Sequence, residues 1–271
     1  MKKIRLTIIS LLVLCLFLCS SLQSVSAIIV GSAVFCPNNY IPPPEWYDTE
    51  YEIQLSTAYC TAINTMLTSK YGGLCYLRIN ATRNQYTSTL GYLKSACDQI
   101  VVFSKGHRGI EYEPPFYHIT LIDHSGVNVV DDDHIYPNTD YSKNTVTFIW
   151  HCQTSDYYPP ISPAKYGMPY CWTHDYTMQP YVTYGDHVYL GWVGQSPQFE
   201  TAVNYQYKFA EVAAWFWYYA CDGDSIEDAL DHVAQRIFGA ANFVASELDD
   251  YTAYHGPLKP YGNMAFYLPE E

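Results

Sequence analysis

Basic side chains are scarce in this sequence. Lysine and arginine together number 14 against 27 aspartates and glutamates, and the formal net charge at pH 7 is −13. A chain with so few cations is a poor partner for the phosphates of nucleic acids or anionic lipids. The excess of carboxylates suits basic substrates or bound cations instead. We therefore expect no nucleic-acid partner.

Long apolar runs are also missing, apart from one near the N-terminus. That run follows a basic segment and ends at small residues, which is the order of a secretory signal peptide. An uncleaved membrane anchor would need about 20 apolar residues, and the run is shorter. We expect residues 1–27 to be removed and residues 28–271 to form one secreted domain with no membrane contact. The features of the signal segment are Lys2, Lys3 and Arg5, the apolar residues 8–18 and the small residues 25–27.

Closely spaced cysteine pairs are absent as well, so a structural zinc site of the C-x-x-C type is not expected. Two of the nine cysteines lie in the signal segment and seven remain, which is an odd number. In an oxidising compartment six cysteines can pair in 15 ways, leaving one free thiol. Cys152 is our candidate for that thiol, although a disulfide from Cys152 to Cys171 stays open. We expect disulfide bonds among Cys36, Cys60, Cys75, Cys97, Cys171 and Cys221.

The chain after the signal segment alternates between two hydrophobic patterns. Short β-favouring runs predict strands at residues 28–35, 74–79 and 100–104, and helical spacing of apolar residues predicts helices at 53–67 and 86–97. A β-α-β-α-β order predicts a parallel sheet with right-handed crossovers and a site at the carboxyl ends of its strands. No low-complexity linker divides the chain, which indicates a single domain.

The remaining elements complete a three-layer α/β/α sandwich. Runs at residues 116–122 and 127–130, separated by a glycine-containing turn, predict an accessory β-hairpin. A further strand is predicted at 187–193, two amphipathic helices follow it, and residues 264–268 predict the last strand. The proline- and tyrosine-rich segment 155–185 is predicted to be a long loop, and loops of this length are usually functional.

Two of the predicted strands end at side chains that can carry chemistry. Residues 101–109 place His107 behind a buried strand, and residues 148–154 place Cys152 behind another. A thiol becomes a useful nucleophile when it is held as a thiolate near a proton-accepting partner, most often an imidazole. Because the ends of neighbouring parallel strands face one cleft, we take His107 and Cys152 as a catalytic dyad.

This arrangement resembles the caspase-like (clan CD) cysteine peptidases, the group that holds gingipains, legumains and caspases. Their sequences carry a hydrophobic strand ending in His-Gly and a later hydrophobic strand ending in Cys, in this order. The two motifs described above match that pattern with one departure, because Arg108 stands between His107 and Gly109. The resemblance implies a mainly parallel caspase-like sheet, a thioester formed on Cys152 and general acid/base catalysis by His107.

The resemblance also implies where the rest of the active site lies. The backbone N–H groups of Cys152 and Gly109 would form the oxyanion hole. Trp192 and Gly194, at the end of the strand after the cysteine strand, would help to form the substrate pocket. The expected partner is a peptide or protein substrate, and no cofactor is implied. With this activity, the acidic net charge of the chain makes a basic residue at the cleavage position an attractive expectation. The main hypothesis is therefore a secreted cysteine endopeptidase.

Some alternatives stay open. Arg108, and His151 directly before the thiol, are unusual for the family and favour a secreted, non-catalytic binding protein on the same scaffold. A papain-type hydrolase fits poorly, because in that family the cysteine precedes the histidine. Calcium binding is a further option, since calcium needs six to eight oxygen ligands, but the spacing of the acidic run matches no known calcium loop and favours a solvated turn. That run is Asp131, Asp132 and Asp133.

Overall fold

The structure is a computed structural model, and its described part covers most of the chain. The predicted signal segment, residues 1–27, lies almost wholly outside the described residues, so its removal stays a prediction. No helix in the described part is long and apolar enough to cross a membrane. The described ranges are residues 27–38, 49–113, 116–126, 128–130, 132–156, 168–175, 180–181 and 185–270.

Strands and helices follow one another largely as the hydrophobic pattern predicts. The strands are β1 (Val30–Cys36), β2 (Cys75–Ile79), β3 (Gln99–Lys105), β4 (Arg108–Glu113), β5 (Phe116–Ile122), β6 (Asn128–Val130), β7 (Asn144–Trp150), β8 (Val188–Trp192) and β9 (Leu258–Gly262). The helices are α1 (Glu50–Tyr71), α2 (Arg83–Ala96), α3 (Asp132–Ile135), α4 (Met168–Thr173), α5 (Phe209–Asp222) and α6 (Ile226–Val233).

The middle layer of the molecule is a six-stranded sheet with the order β2-β1-β3-β7-β8-β9. All neighbouring pairs are parallel except β8 and β9, which are antiparallel. Every residue of β1, β7 and β8 is buried. Parallel strands covered on both faces need such continuous apolar runs, which explains why the sequence pattern revealed them.

Helices cover both faces of this sheet. Side chains of α1, α5 and α6 share one hydrophobic cluster with the sheet, and side chains of α2 and α4 share the other. The predicted three-layer α/β/α sandwich with a mainly parallel sheet is therefore confirmed.

Local signals in the sequence explain where several helices begin. The hydroxyl of Thr49 accepts a hydrogen bond from the N–H of Glu52 at the start of α1. Thr82 and Gln85 form a reciprocal capping box at the start of α2, and the hydroxyl of Ser225 caps α6. Such caps satisfy backbone N–H groups that have no partner within the helix.

A second, three-stranded antiparallel sheet contains the predicted hairpin. β5 and β6 are the two expected strands, and β4 is a third strand that the hydrophobic pattern did not predict. β4 begins at Arg108, directly after His107, so His107 links the two sheets. The accessory sheet therefore borders the predicted site.

The prediction of a final strand at residues 264–268 is wrong. The last strand is β9, which pairs with β8 and contains Pro260 opposite Leu190. Proline lacks an N–H and is tolerated only where a strand has no neighbour on that side, so its presence concealed an edge strand. Met264 and Leu268 are nevertheless buried in the core, within a turn that carries the chain past α6.

The predicted loop at 155–185 contains the short helix α4, and much of the rest of it lies outside the described residues.

Within the described part of the chain, the expected disulfide bonds are not formed. Cys36 donates a hydrogen bond to Asn38 Oδ1 at 3.1 Å. Burial raises the pKa of the Cys60 and Cys97 thiols, which favours their protonated state and packing as small apolar side chains. The odd cysteine count therefore no longer singles out Cys152. Free thiols are found at Cys36, Cys60, Cys75, Cys97, Cys152 and Cys221.

Candidate active site

His107 and Cys152 follow two adjacent strands of the main sheet. In the parallel pair β3 and β7, Lys105 is in register with Trp150, and the N–H of Gly106 donates to the Trp150 carbonyl at 3.2 Å. The two segments that follow therefore leave the sheet side by side at its carboxyl edge. In α/β folds this edge is where ligands bind.

A cavity of about 320 Å³ opens at this edge. Residues 105–108, which contain His107, form one part of its lining, and residues 152–153, which contain Cys152, form another. Residues 194–198, which follow β8, form the remaining wall. The structure thus brings the two predicted catalytic residues and Gly194 to one cavity.

The thiol of Cys152 contacts Ser196 across this cavity. The backbone N–H of Ser196 donates to Cys152 Sγ at 3.3 Å, and the hydroxyl oxygen of Ser196 lies 3.4 Å from the same sulfur. These contacts hold the sulfur against the cavity wall formed by residues 194–198. Ser196 was not among the predicted site residues, because its proximity to Cys152 depends on the folding of a loop 44 positions further along the chain.

A buried ion pair holds the wall that carries Ser196. Lys105 Nζ contacts Glu52 Oε1, and their side chains are 4% and 0% exposed. The carboxylate of Glu52 also accepts the backbone N–H groups of Phe199 at 2.9 Å and Glu200 at 2.7 Å. Helix α1, strand β3 and the segment after residue 194 are therefore fixed to one another beside the cavity.

A second set of contacts ties the turn after the thiol to the end of β8. The N–H of Gln153 donates to the carbonyl of Gly194 at 2.5 Å, and the N–H of Ser155 donates to the carbonyl of Trp192 at 3.1 Å. Gly194 has a φ of +71°, a conformation that glycine adopts without strain. The backbone thus closes the cavity between the two strand ends.

His151, the residue before the thiol, is fully buried. Its Nδ1 lies 2.7 Å from the carbonyl oxygen of His107, and its Nε2 lies 2.9 Å from the hydroxyl of Ser104. The side chain of His151, which the sequence marks as unusual at this position, therefore connects the segment that contains His107 to the segment that contains Cys152.

The described lining of the cavity lacks the acidic excess of the whole chain, and the charge of its Lys105 is paired with Glu52. The charged side chains in its described lining include Lys105 and Arg108. Asp156 lies close by, where burial raises its pKa, while a hydrogen bond from the N–H of Gly194 and the charge of Arg108 oppose this rise. The expectation of a basic residue at the cleavage position, drawn from net charge, gains no support from this lining.

Two predicted site residues stand apart from the described lining. Gly109 lies in β4 opposite Thr120 in the antiparallel ladder. Trp192 is fully buried, and its ring packs 5.0 Å from the ring of Trp150 in the core beneath the cavity. Of the two predicted pocket residues, Gly194 is therefore the one at the cavity surface.

The predicted calcium run lies partly outside the described residues. Asp131 falls there, while Asp132 and Asp133 begin the short helix α3. Within the described ranges, no group of three or more histidine, cysteine, aspartate or glutamate side chains is arranged to hold a metal ion.

Comparisons with known proteins find likeness in structure alone. No protein-family model and no curated protein matches the sequence. The structure of pro-sf-caspase-1 is similar with 12% identity and a TM-score of 0.44, over 88% of this chain and 92% of that one. The Drosophila initiator caspase Dronc is similar with 11% identity and a TM-score of 0.40, over 88% of this chain and 80% of that one. These values carry no conclusion about activity.

Proposed function

We propose that this chain is a cysteine peptidase in which Cys152 is the nucleophile and His107 the general acid and base. The observation that carries the proposal is their joint position in one cavity, at the carboxyl ends of adjacent parallel strands. The contact from the Ser196 N–H to the sulfur supports it, because it holds the nucleophile at the cavity surface.

In this mechanism the Cys152 thiolate attacks the carbonyl carbon of a peptide bond, and the π electrons move onto the carbonyl oxygen. When the tetrahedral intermediate collapses, the C–N bond breaks and His107 gives its proton to the leaving amine. Water, deprotonated by His107, then attacks the thioester and releases the acid and the thiol. His107 and Cys152 need not be hydrogen-bonded in the resting enzyme, since catalytic contacts often tighten only when substrate binds.

The oxyanion requires backbone donors at the cavity surface. The N–H of Cys152 is one such group in the proposal. We assign the second to the N–H of Arg108 instead of Gly109, because Arg108 lines the cavity and Gly109 pairs with Thr120. The departure from the family's His-Gly pattern is then tolerable, since every residue except proline has a backbone N–H.

The first experiment measures thiol reactivity in the full-length protein. Iodoacetamide labelling between pH 5 and 8, read by mass spectrometry, should modify Cys152 faster than the other free thiols. His107→Ala should slow this labelling at least tenfold, whereas His232→Ala, at an exposed histidine paired with Asp224, should not. If Cys152 labels no faster than Cys221, or is indifferent to His107, the peptidase proposal fails.

A peptide library then tests turnover. The wild-type chain should cleave a subset of peptides, and Cys152→Ala should abolish all cleavage. Rapid labelling of Cys152 without any cleavage would favour the second candidate, a non-catalytic binding protein. The observation in its favour is the side chain of Arg108, which occupies the lining directly beside His107.

Secretion is a separate part of the proposal and rests on residues 1–27. Expression of the full chain in a secreting host should release a protein whose N-terminus, read by sequencing, is near Ile28. Recovery of the uncleaved chain in the cell would contradict it.

A further inference from the structure

A chain of four groups runs from the core to the backbone of His107. The hydroxyl of Tyr86 lies 2.8 Å from that of Ser104, and the hydroxyl of Ser104 lies 2.9 Å from His151 Nε2. His151 Nδ1 lies 2.7 Å from the His107 carbonyl oxygen. The side chains of Tyr86, Ser104 and His151 are fully buried, so this chain is shielded from water.

Hydrogen-bond chemistry fixes one proton of this chain, the proton on His151 Nδ1. A carbonyl oxygen only accepts hydrogen bonds, so His151 Nδ1 must carry a proton and donate it to His107. Burial raises the pKa of the Tyr86 hydroxyl, which therefore stays protonated. Ser104 is the only hydrogen-bond partner of that hydroxyl among the described residues, so Tyr86 donates to Ser104. If Ser104 in turn donates its own proton to His151 Nε2, His151 is the neutral tautomer with its proton on Nδ1.

The backbone approaches the His151 ring closely at Gly106. A Cβ atom added to Gly106 would lie 2.7 Å from His151 Cε1 and 2.7 Å from Pro37 Cγ. Side chains do not tolerate such distances, so only glycine allows the segment before His107 to lie against the ring. His151 therefore touches two consecutive residues. Its ring packs against Gly106, and its Nδ1 binds the carbonyl oxygen of His107.

We propose that His151 is a positioning residue that holds His107 in place relative to Cys152 through its Nδ1–H donor. The inference rests on the proposed peptidase function and adds to it. His151 adjoins Cys152 in the chain and binds the backbone of His107, so one rigid ring sets the separation of the two reacting side chains. Misplacement of a catalytic group by about 1 Å can lower a rate by about a hundredfold.

Two substitutions of His151 test separately the hydrogen bond at Nδ1 and the hydrogen bond at Nε2. His151→Asn keeps an amide N–H near the position of Nδ1, so it can still donate to the His107 carbonyl. His151→Gln reaches towards Ser104 and lacks the donor to His107. We expect His151→Gln to lower kcat about 10- to 100-fold with an unchanged KM, and His151→Asn to retain at least tenfold more activity than His151→Gln. Equal losses in both variants, or full activity of His151→Gln, would overturn the proposal.

A spectroscopic measurement on the wild-type chain does not depend on either variant folding. In protein labelled with ¹⁵N and ¹³C, NMR at pH 7 should show that the ring of His151 carries a proton on Nδ1. The ring signals are assigned by through-bond correlation to the His151 backbone, because the Nδ1 atoms of His124, His187 and His255 also face carbonyl oxygens. A neutral His151 with its proton on Nε2 would have no donor on Nδ1 and would overturn the proposal.

The same experiments distinguish this inference from the proposed function. If the wild-type chain cleaves no peptide, the peptidase proposal fails, and the iodoacetamide rates of Cys152 in the Asn and Gln variants still report on positioning. Slower labelling in His151→Gln than in His151→Asn supports the positioning role, and equal rates contradict it. If the wild-type chain cleaves peptides and both variants retain kcat, the positioning inference alone fails.

Discussion

Lys105 and Glu52 form an ion pair in the interior, and no more than 4% of either side chain is exposed. Lys105 lies at the end of β3, two residues before His107, and Glu52 lies in the first turn of α1. Because Glu52 also binds the N–H groups of Phe199 and Glu200, the pair links the strand of the imidazole to the wall that contacts the thiol.

Neutralising this carboxylate should be strongly destabilising. Glu52→Gln leaves the charge of Lys105 buried without its counter-charge, and breaking a buried pair in this way costs about 3–5 kcal/mol. Urea unfolding should show that loss. The control Glu50→Gln, at an exposed position of the same helical turn, should change the free energy of unfolding by no more than about 0.5 kcal/mol. Equal effects of the two substitutions would contradict the structural role of the pair.

Filling the space at Gly106 should disturb the site. In Gly106→Ala the new methyl group collides with the His151 ring and Pro37, and such overpacking costs about 1–3 kcal/mol. Thermal unfolding should record the lost stability, and peptide cleavage should fall with it. Gly73→Ala is the matched control, since a Cβ there meets nothing within 4 Å. The interpretation is wrong if Gly106→Ala behaves like this control.

Removing the hydroxyl of Ser196 should slow the reaction of the Cys152 sulfur without abolishing it. Ser196→Ala deletes the oxygen that lies 3.4 Å from Cys152 Sγ and keeps the N–H that donates to the same sulfur. One hydrogen bond is worth about 1 kcal/mol, which corresponds to about a fivefold slower alkylation of Cys152 by iodoacetamide. Ser95→Ala, at an exposed serine near the end of α2, should leave the rate unchanged. An unaltered rate in Ser196→Ala would show that the hydroxyl does not act on the sulfur.

The partly buried thiol of Cys221 should make the protein less stable at alkaline pH. Burial raises the pKa of Cys221 from about 9 to about 11, with the charge of Lys70 opposing part of the rise. Between these values the unfolded chain loses the proton while the folded chain keeps it. Stability therefore falls as the pH rises from 9 to 11, by up to about 2 kcal/mol for this group.

The substitution Cys221→Ala should remove that part of the pH dependence. Urea unfolding at pH 8 and pH 10.5 should show a smaller decrease for Cys221→Ala than for the wild-type chain, and the other buried tyrosines and cysteines contribute equally to both. The same decrease in both proteins would mean that the folded chain does not retain the Cys221 proton.

The sequence predicted most of the main sheet because buried parallel strands are continuous apolar runs, and such runs are visible without knowledge of their neighbours. It also located His107 and Cys152, since each ends one of these runs. It could not predict the pairing of Lys105 with Glu52, because no local pattern marks two charges that meet across 53 positions of the chain. β4 was missed since it follows His107 without an intervening turn signal, and β9 was missed because of Pro260.

The His107 carbonyl oxygen accepts two hydrogen bonds, one from the N–H of Ile122 in the accessory sheet and one from His151 next to the main sheet. This one oxygen thus connects the accessory sheet to the main sheet through hydrogen bonds. If the accessory sheet moves away from the main sheet, either the hydrogen bond from Ile122 to His107 breaks or the His107 backbone moves as well. A displacement of β5 that preserves this hydrogen bond is therefore transmitted to the backbone that carries the imidazole.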